Sequence, residues 1–178
     1  QLHRRQRQMC IRDRTSIDNY DDWKVISEGI SLFYQGKGGQ PFAEIALQLD
    51  TIQQQGRDNY LVNALLSYSE SLAYLQSHEQ EDREHALQLA KQAFEMNPRC
   101  DIANLTLGLA LLINQHANQA FPYLFYAAES TPSPISFYLL SVADKLSDNP
   151  EGSQYNYQRY TEVKKEYNGQ LFDLIESL

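Results

Sequence analysis

An all-α chain of antiparallel helix pairs is the fold this sequence predicts, and three observations carry the prediction. Apolar residues recur at spacings of three and four along most of the chain, while strand-like alternation is absent over any useful length. Short polar turns rich in Gly, Pro, Asn and Asp separate the apolar segments. Ala86, Ala93 and Pro98 return as Ala120, Ala127 and Pro132, a period of 34 residues. Units of that length bury a continuous core only by stacking on their neighbours.

The first helix is predicted over residues 20–35, with Trp23, Ile26, Ile30 and Phe33 on one face. Gly36-Lys37-Gly38-Gly39 ends it, because glycine costs about 1 kcal/mol inside a helix and adopts turn geometry readily. Pro41 suits the first turn of a second helix, where the N–H it lacks would be unpaired anyway. That helix carries Phe42, Ile45, Leu49 and Ile52 and stops before Gly56. A third helix is predicted over 59–76, followed by the polar turn Ser77 to Asp82. Asp82 is the expected cap of a fourth helix over 83–96, which Asn97-Pro98 closes. A fifth helix spans 101–114. Asn118 is the expected cap of the sixth, which tolerates Pro122 four residues later, and Thr131-Pro132-Ser133-Pro134 ends it. The seventh runs to about Leu146 before Asp148-Asn149-Pro150. A Tyr-rich eighth covers 152–167, and a short helix comes after Gly169.

Residues 1–14 stand apart from this pattern. Arg4 to Asp13 is similar to the in-frame translation of a transposase adapter used in sequencing libraries, so the tail is expected not to be native sequence. Without it the chain holds 10 basic and 22 acidic residues, a net charge of −12 against −8 for all 178 residues. The remaining cations, Lys91, Arg99, Lys145, Arg159, Lys164 and Lys165 among them, are spread out. Phosphate contacts need clustered Lys and Arg, so no nucleic-acid contact by this segment is expected. No apolar run approaches the roughly 20 residues of a spanning helix, so no membrane span is expected either. Cys10 falls in the tail, which leaves no intrachain disulfide to expect. Met96 is the one methionine outside the tail, and the chain reads as the C-terminal part of a longer protein.

The repeated positions resemble the tetratricopeptide family. The best unit is Asp101 to Pro134, with Leu107-Gly108 in its first helix, Ala120, Leu124 and Ala127 in its second, and Pro132 at its end. It departs from the family at Asn104, where an aromatic is usual, and at Leu111, where Tyr is usual. The unit before it, Ser67 to Cys100, carries Ala86, Ala90, Ala93 and Pro98 but has Tyr74 at the usual glycine position. Trp23, Ile26, Ser27 and Ile30 echo the first-helix pattern, and 135–167 has the right length without the later alanines. The resemblance implies a tetratricopeptide-like right-handed superhelix, an α-solenoid. The expected organisation is therefore 1–14 adapter, 15–57 a degenerate helical hairpin, 58–168 the repeat array and 169–178 a short C-terminal helix.

Signatures of chemistry are missing. Gly36-Lys37-Gly38-Gly39 fails as a phosphate loop, since Gly38 stands after the lysine where Ser or Thr is needed and Ser31 occupies the first glycine position. His78 and His85 straddle a turn and His116 lies in another, without the clustered ligands zinc requires. Glu79, Glu81, Asp82 and Glu84 read as a solubilising run, and Cys100 as a small residue near a helix start. No catalytic residue, metal site or cofactor is expected, and the chain is not expected to be an enzyme.

In the tetratricopeptide family the first helix of each pair lines a concave groove that receives partner segments. By position the resemblance implies Tyr68, Ser71 and Leu75, then Ile102, Leu105, Leu109 and Leu112, then Leu139 and Ala143. This face is mostly apolar and lacks the Lys, Arg and Asn clamp with which some members grip a terminal carboxylate. A protein or peptide with apolar anchors is the expected partner. The chain's own C-terminal helix, with Tyr155, Tyr157 and Tyr160, is the competing occupant. The function expected is a scaffold for protein binding, such as the cytoplasmic C-terminal region of a bacterial winged-helix transcription activator. The alternatives are a stand-alone secretion-system chaperone and an accessory domain of an enzyme whose catalytic part lies elsewhere.

Overall fold

The structure, a computed structural model, describes residues 19–57, 59–164, 169–175 and 178, and its regular elements there are all helices. The expectations for residues 1–14, and for the eighth helix extending to Tyr167, fall outside the described residues. In chain order the helices are α1 (Tyr20–Tyr34), α2 (Gly39–Gln54), α3 (Tyr60–Ser77), α4 (Gln80–Met96), α5 (Asp101–Ile113), α6 (Ala117–Ser130), α7 (Pro134–Leu146), α8 (Pro150–Val163) and α9 (Gln170–Ile175). Consecutive helices pair as α1–α2, α3–α4, α5–α6 and α7–α8, and the first members stack in a row, α1 on α3, α3 on α5 and α5 on α7. Short turns make the partners antiparallel.

Turn geometry repeats along with the helices. Each intra-pair turn contains left-handed backbone, at Gly36 (φ 62°) with Gly39 (φ 63°), then at His78 (φ 59°), Gln115 (φ 64°) and Asp148 (φ 56°). Three of these carry a Cβ, which costs about 1–2 kcal/mol apiece, so the conformation is imposed by the pairing rather than chosen by the residue. Between pairs, Asn97 (φ −148°, ψ 87°) and Thr131 (φ −144°, ψ 80°) share one extended conformation. Ala86, Ala93, Ala120 and Ala127 are all fully buried, so the matched small residues lie where helices meet. Gly108 does the same from the opposite helix. A Cβ there would sit 2.3 Å from Leu124 Cδ2, and only glycine lets α5 and α6 close to this distance. Every residue of α5 is buried, which makes it the central helix of the array.

Three helix starts differ from expectation, the least of them that of the eighth helix, which begins at Pro150 rather than at residue 152. The fourth helix begins at Gln80 rather than after Asp82. Ser77 Oγ accepts from the Glu79 N–H at 3.0 Å and donates to Asp82 Oδ2 at 2.8 Å. The serine therefore builds the turn, and Asp82 enters the first helical turn, where its charge suits the positive end of the helix dipole. The sixth helix begins at Ala117 with His116 as its cap and no side-chain cap bond. Asn118 is thus inside the helix, and Pro122 sits deeper than expected, removing one interior N–H donor.

Candidate functional site

The nine residues expected to line a groove come together on three adjacent helices. Tyr68, Ser71 and Leu75 lie on α3, Ile102, Leu105, Leu109 and Leu112 on α5, and Leu139 and Ala143 on α7. The most accessible of them, Leu75, is only 4% exposed. Burial to this degree makes all nine packing residues in this conformation, and a partner would reach them only by displacing what covers them.

Buried polar groups tie the helices at this face. Tyr34 of α1 donates its hydroxyl to Asp101 Oδ2 at the start of α5. Burial pushes the Asp101 carboxyl above the usual carboxylate range, opposed by hydrogen bonds from Tyr34, the Ile102 backbone and Thr131. Tyr68 donates to the Lys37 carbonyl at 2.9 Å, and burial raises its own pKa as well. Ser71 Oγ is buried without a hydrogen-bond partner among the described residues. Asn104 donates to the carbonyls of Pro98 (2.9 Å) and Cys100 (2.8 Å). Its amide closes the turn into α5, a task an aromatic ring could not perform.

The short helix α9 packs on α3 and touches both ends of the array. At one end the Leu171 N–H donates to the Gly36 carbonyl at 3.0 Å. At the other, Tyr138 of α7 donates its hydroxyl to the Phe172 carbonyl at 2.6 Å. The Phe172 ring lies edge-on to Tyr138, centroids 5.0 Å apart, and 5.1 Å from the Tyr160 ring of α8. Leu171, Phe172 and Ile175 are buried. The α1–α2 turn leaves no room for larger residues: a Cβ on Gly36 would come within 2.7 Å of the Phe172 ring, and one on Gly169 within 2.3 Å of the Gln35 carbonyl oxygen.

Of the three tyrosines named for the competing occupant, only one turns inward. Tyr155 is 60% exposed and Tyr157 41% exposed, whereas Tyr160 is buried. As the second member of its pair, α8 has an outer face, and two of its three tyrosines lie on it. Sequence reasoning missed Tyr138, Leu171 and Phe172. Two signals were available: the apolar spacing Leu171-Phe172-x-x-Ile175, and a glycine run with more glycines than a turn needs.

The histidines are apart from this face. His78 caps α3, His116 caps α6, and His85 Nδ1 lies 3.4 Å from Glu70 Oε1. Among the described residues no group of three or more His, Cys, Asp or Glu side chains could hold a metal ion. No described helix is long and apolar enough to cross a membrane. No protein-family model matches the chain, and no curated protein matches it.

Proposed function

We propose that this chain is a protein-interaction module without catalytic activity, built as a tetratricopeptide-like array, that binds a partner segment with apolar anchors on the inner side formed by α3, α5 and α7. The observation that supports this reading best is α9. A short helical segment is held on the first-helix row by the Leu171 N–H donating to the Gly36 carbonyl, by the Tyr138 hydroxyl donating to the Phe172 carbonyl, and by buried Leu171, Phe172 and Ile175. Helix-in-groove recognition uses the same elements, an amphipathic segment laying its apolar face on an apolar surface. By the tetratricopeptide resemblance, the module fits the regulatory region of a longer bacterial cytoplasmic protein such as a winged-helix activator.

Selection of a random displayed peptide library on the immobilised full chain carrying Phe172→Ala, which loosens α9 from the inner side, tests the reading. Enrichment of peptides sharing apolar anchors three or four residues apart is the expected result. A library that enriches nothing over the blank support, on a chain with an intact helical circular-dichroism signal, contradicts it.

A further inference from the structure

The glycine run Gly36-Lys37-Gly38-Gly39 is a tighter structure than its role as a connection demands. Gly36 and Gly39 take left-handed backbone (φ 62° and 63°), yet Gly38 is also confined: a Cβ there would meet Leu72 Cδ1 at 2.7 Å and Gln170 Oε1 at 3.2 Å. At Gly39 a Cβ would meet Gln170 Oε1 at 3.0 Å, and at Gly36 the Phe172 ring. All three glycines therefore face residues 170–172, and the glycine opposite them, Gly169, faces the Gln35 and Gly36 carbonyls. At Gly169 backbone lies directly on the Gln35 and Gly36 backbone, while Gly36, Gly38 and Gly39 make room for the Phe172 and Gln170 side chains. Such contact selects a ligand by main-chain shape, and the rings of Tyr138 and Tyr160 then select the aromatic side chain at position 172.

We propose that the Gly36–Gly39 turn, Tyr138 and Tyr160 form a binding seat for a short helical segment of pattern Gly-x-Leu-Phe-x-x-Ile, and that residues 169–175 occupy it as an intramolecular competitor of a partner bearing that pattern. The proposal deepens the protein-binding reading and rests on it. Each pattern position has a physical reason. Gly169 fits because no side chain can pass Gln35 O. Leu171 is fully buried and presents its N–H to Gly36 O. Phe172 packs against both Tyr138 and Tyr160, which also touch each other, and offers its carbonyl to the Tyr138 hydroxyl. Ile175, one helical turn on, is 2% exposed and completes the apolar face. A tethered segment competes at a high effective concentration, so a free peptide of the same sequence binds the parent chain poorly until the tethered copy is detached.

The test keeps the full chain and detaches α9 by Gly169→Val, whose side chain meets the Gln35 and Gly36 carbonyls while the seat stays unaltered. A fluorescently labelled peptide of residues 169–178 is titrated against parent and variant, with anisotropy as the readout. The variant should bind at least roughly tenfold tighter than the parent, since the tethered competitor no longer fills the seat. A peptide with Phe172→Ala should lose most of that binding, and Tyr138→Phe in the variant chain should weaken it by roughly five- to tenfold through one lost hydrogen bond. If Gly169→Val loses helical signal, Phe172→Ala in the chain detaches the segment by truncation without a backbone clash. A detached, helical chain that ignores the peptide overturns the proposal. So does a parent chain that elutes as a dimer at assay concentration, because a second copy would then supply the segment. Library selection on the detached chain separates this result from the broader reading. Apolar peptides enriched where the chain's own peptide fails to bind would sink the seat and leave the module. Binding of the chain's peptide with no library enrichment would sink the wider role and leave the seat.

Discussion

The pairs α5–α6 and α7–α8 have the same dimensions but are closed by different chemistry. Each joins a 13-residue helix to a 14-residue one, with one left-handed residue in the turn, Gln115 and Asp148 respectively. The first pair closes on small residues: Gly108 admits Leu124, and Ala120 and Ala127 are fully buried. The second closes on aromatic and polar groups. Tyr138 and Tyr160 pack with centroids 5.0 Å apart, Arg159 lies 4.4 Å over the Phe137 ring, and Asp144 accepts from Asn149 and Asn156 at 2.9 Å each. Small-residue closure is complete within the pair. The aromatic closure has a third member, Phe172, which comes from α9. The lesson is that one helix-pair geometry admits two kinds of interior, and that the larger rings make the last pair depend on a segment outside it.

The largest expected effect breaks the small-residue closure. Gly108→Val puts a branched side chain where even a Cβ would lie 2.3 Å from Leu124, and should destabilise the chain by about 3 kcal/mol in denaturant unfolding. Valine already stands 34 residues on, at Val142, so Val142→Ala should act in the other pair only as a modest truncation, about 1 kcal/mol. A smaller effect is expected from Tyr138→Phe, which removes the hydrogen bond to the Phe172 carbonyl and leaves the ring in place. About 1 kcal/mol should be lost by the same measurement.

The smallest effect concerns how the two first helices begin. The start of α7 is held locally by a capping box between Ser133 and Ser136. The start of α5 is held by Asp101, which accepts from Tyr34 of α1. Burial raises the native pKa of Asp101, so between its ordinary and its native value the folded chain binds more protons than the unfolded chain. Stability therefore rises as pH falls through that window and is lost as pH rises through the native value. Glu70, raised mainly by burial as well, contributes with the same sign. Asp101→Asn should flatten this slope without abolishing it, as read by thermal unfolding across roughly pH 4 to 7.

The helix pairs are legible in the sequence because their causes are local. Apolar spacing, proline stops and the matched alanines each act within one helix or one crossing, and they identify α1 to α8 with ends off by a few residues. The start of α4 is not legible in the same way, because Ser77 and Asp82 can each build a cap, and only the turn shows which does. The groove positions fall on α3, α5 and α7, but their burial is not readable from spacing, since a first-helix face looks equally apolar whether open or covered. The docking of α9 depends on contacts between Gly36 and Leu171 or Tyr138 and Phe172, residues far apart in the chain with no periodicity linking them. The glycine run reads as a turn, which it is, and its second role appears only once Gly169 lies against it.

The dependence of the last pair on α9, and the independence of the central one, is tested most directly by native-state hydrogen exchange of the parent and of Phe172→Ala, tracked residue by residue. Faster exchange is expected in α7, α8 and the amides around Gly36, with α5 and α6 unchanged, because the aromatic interior loses a member while the small-residue interior does not. Equal acceleration in both pairs, or none in either, would contradict the account.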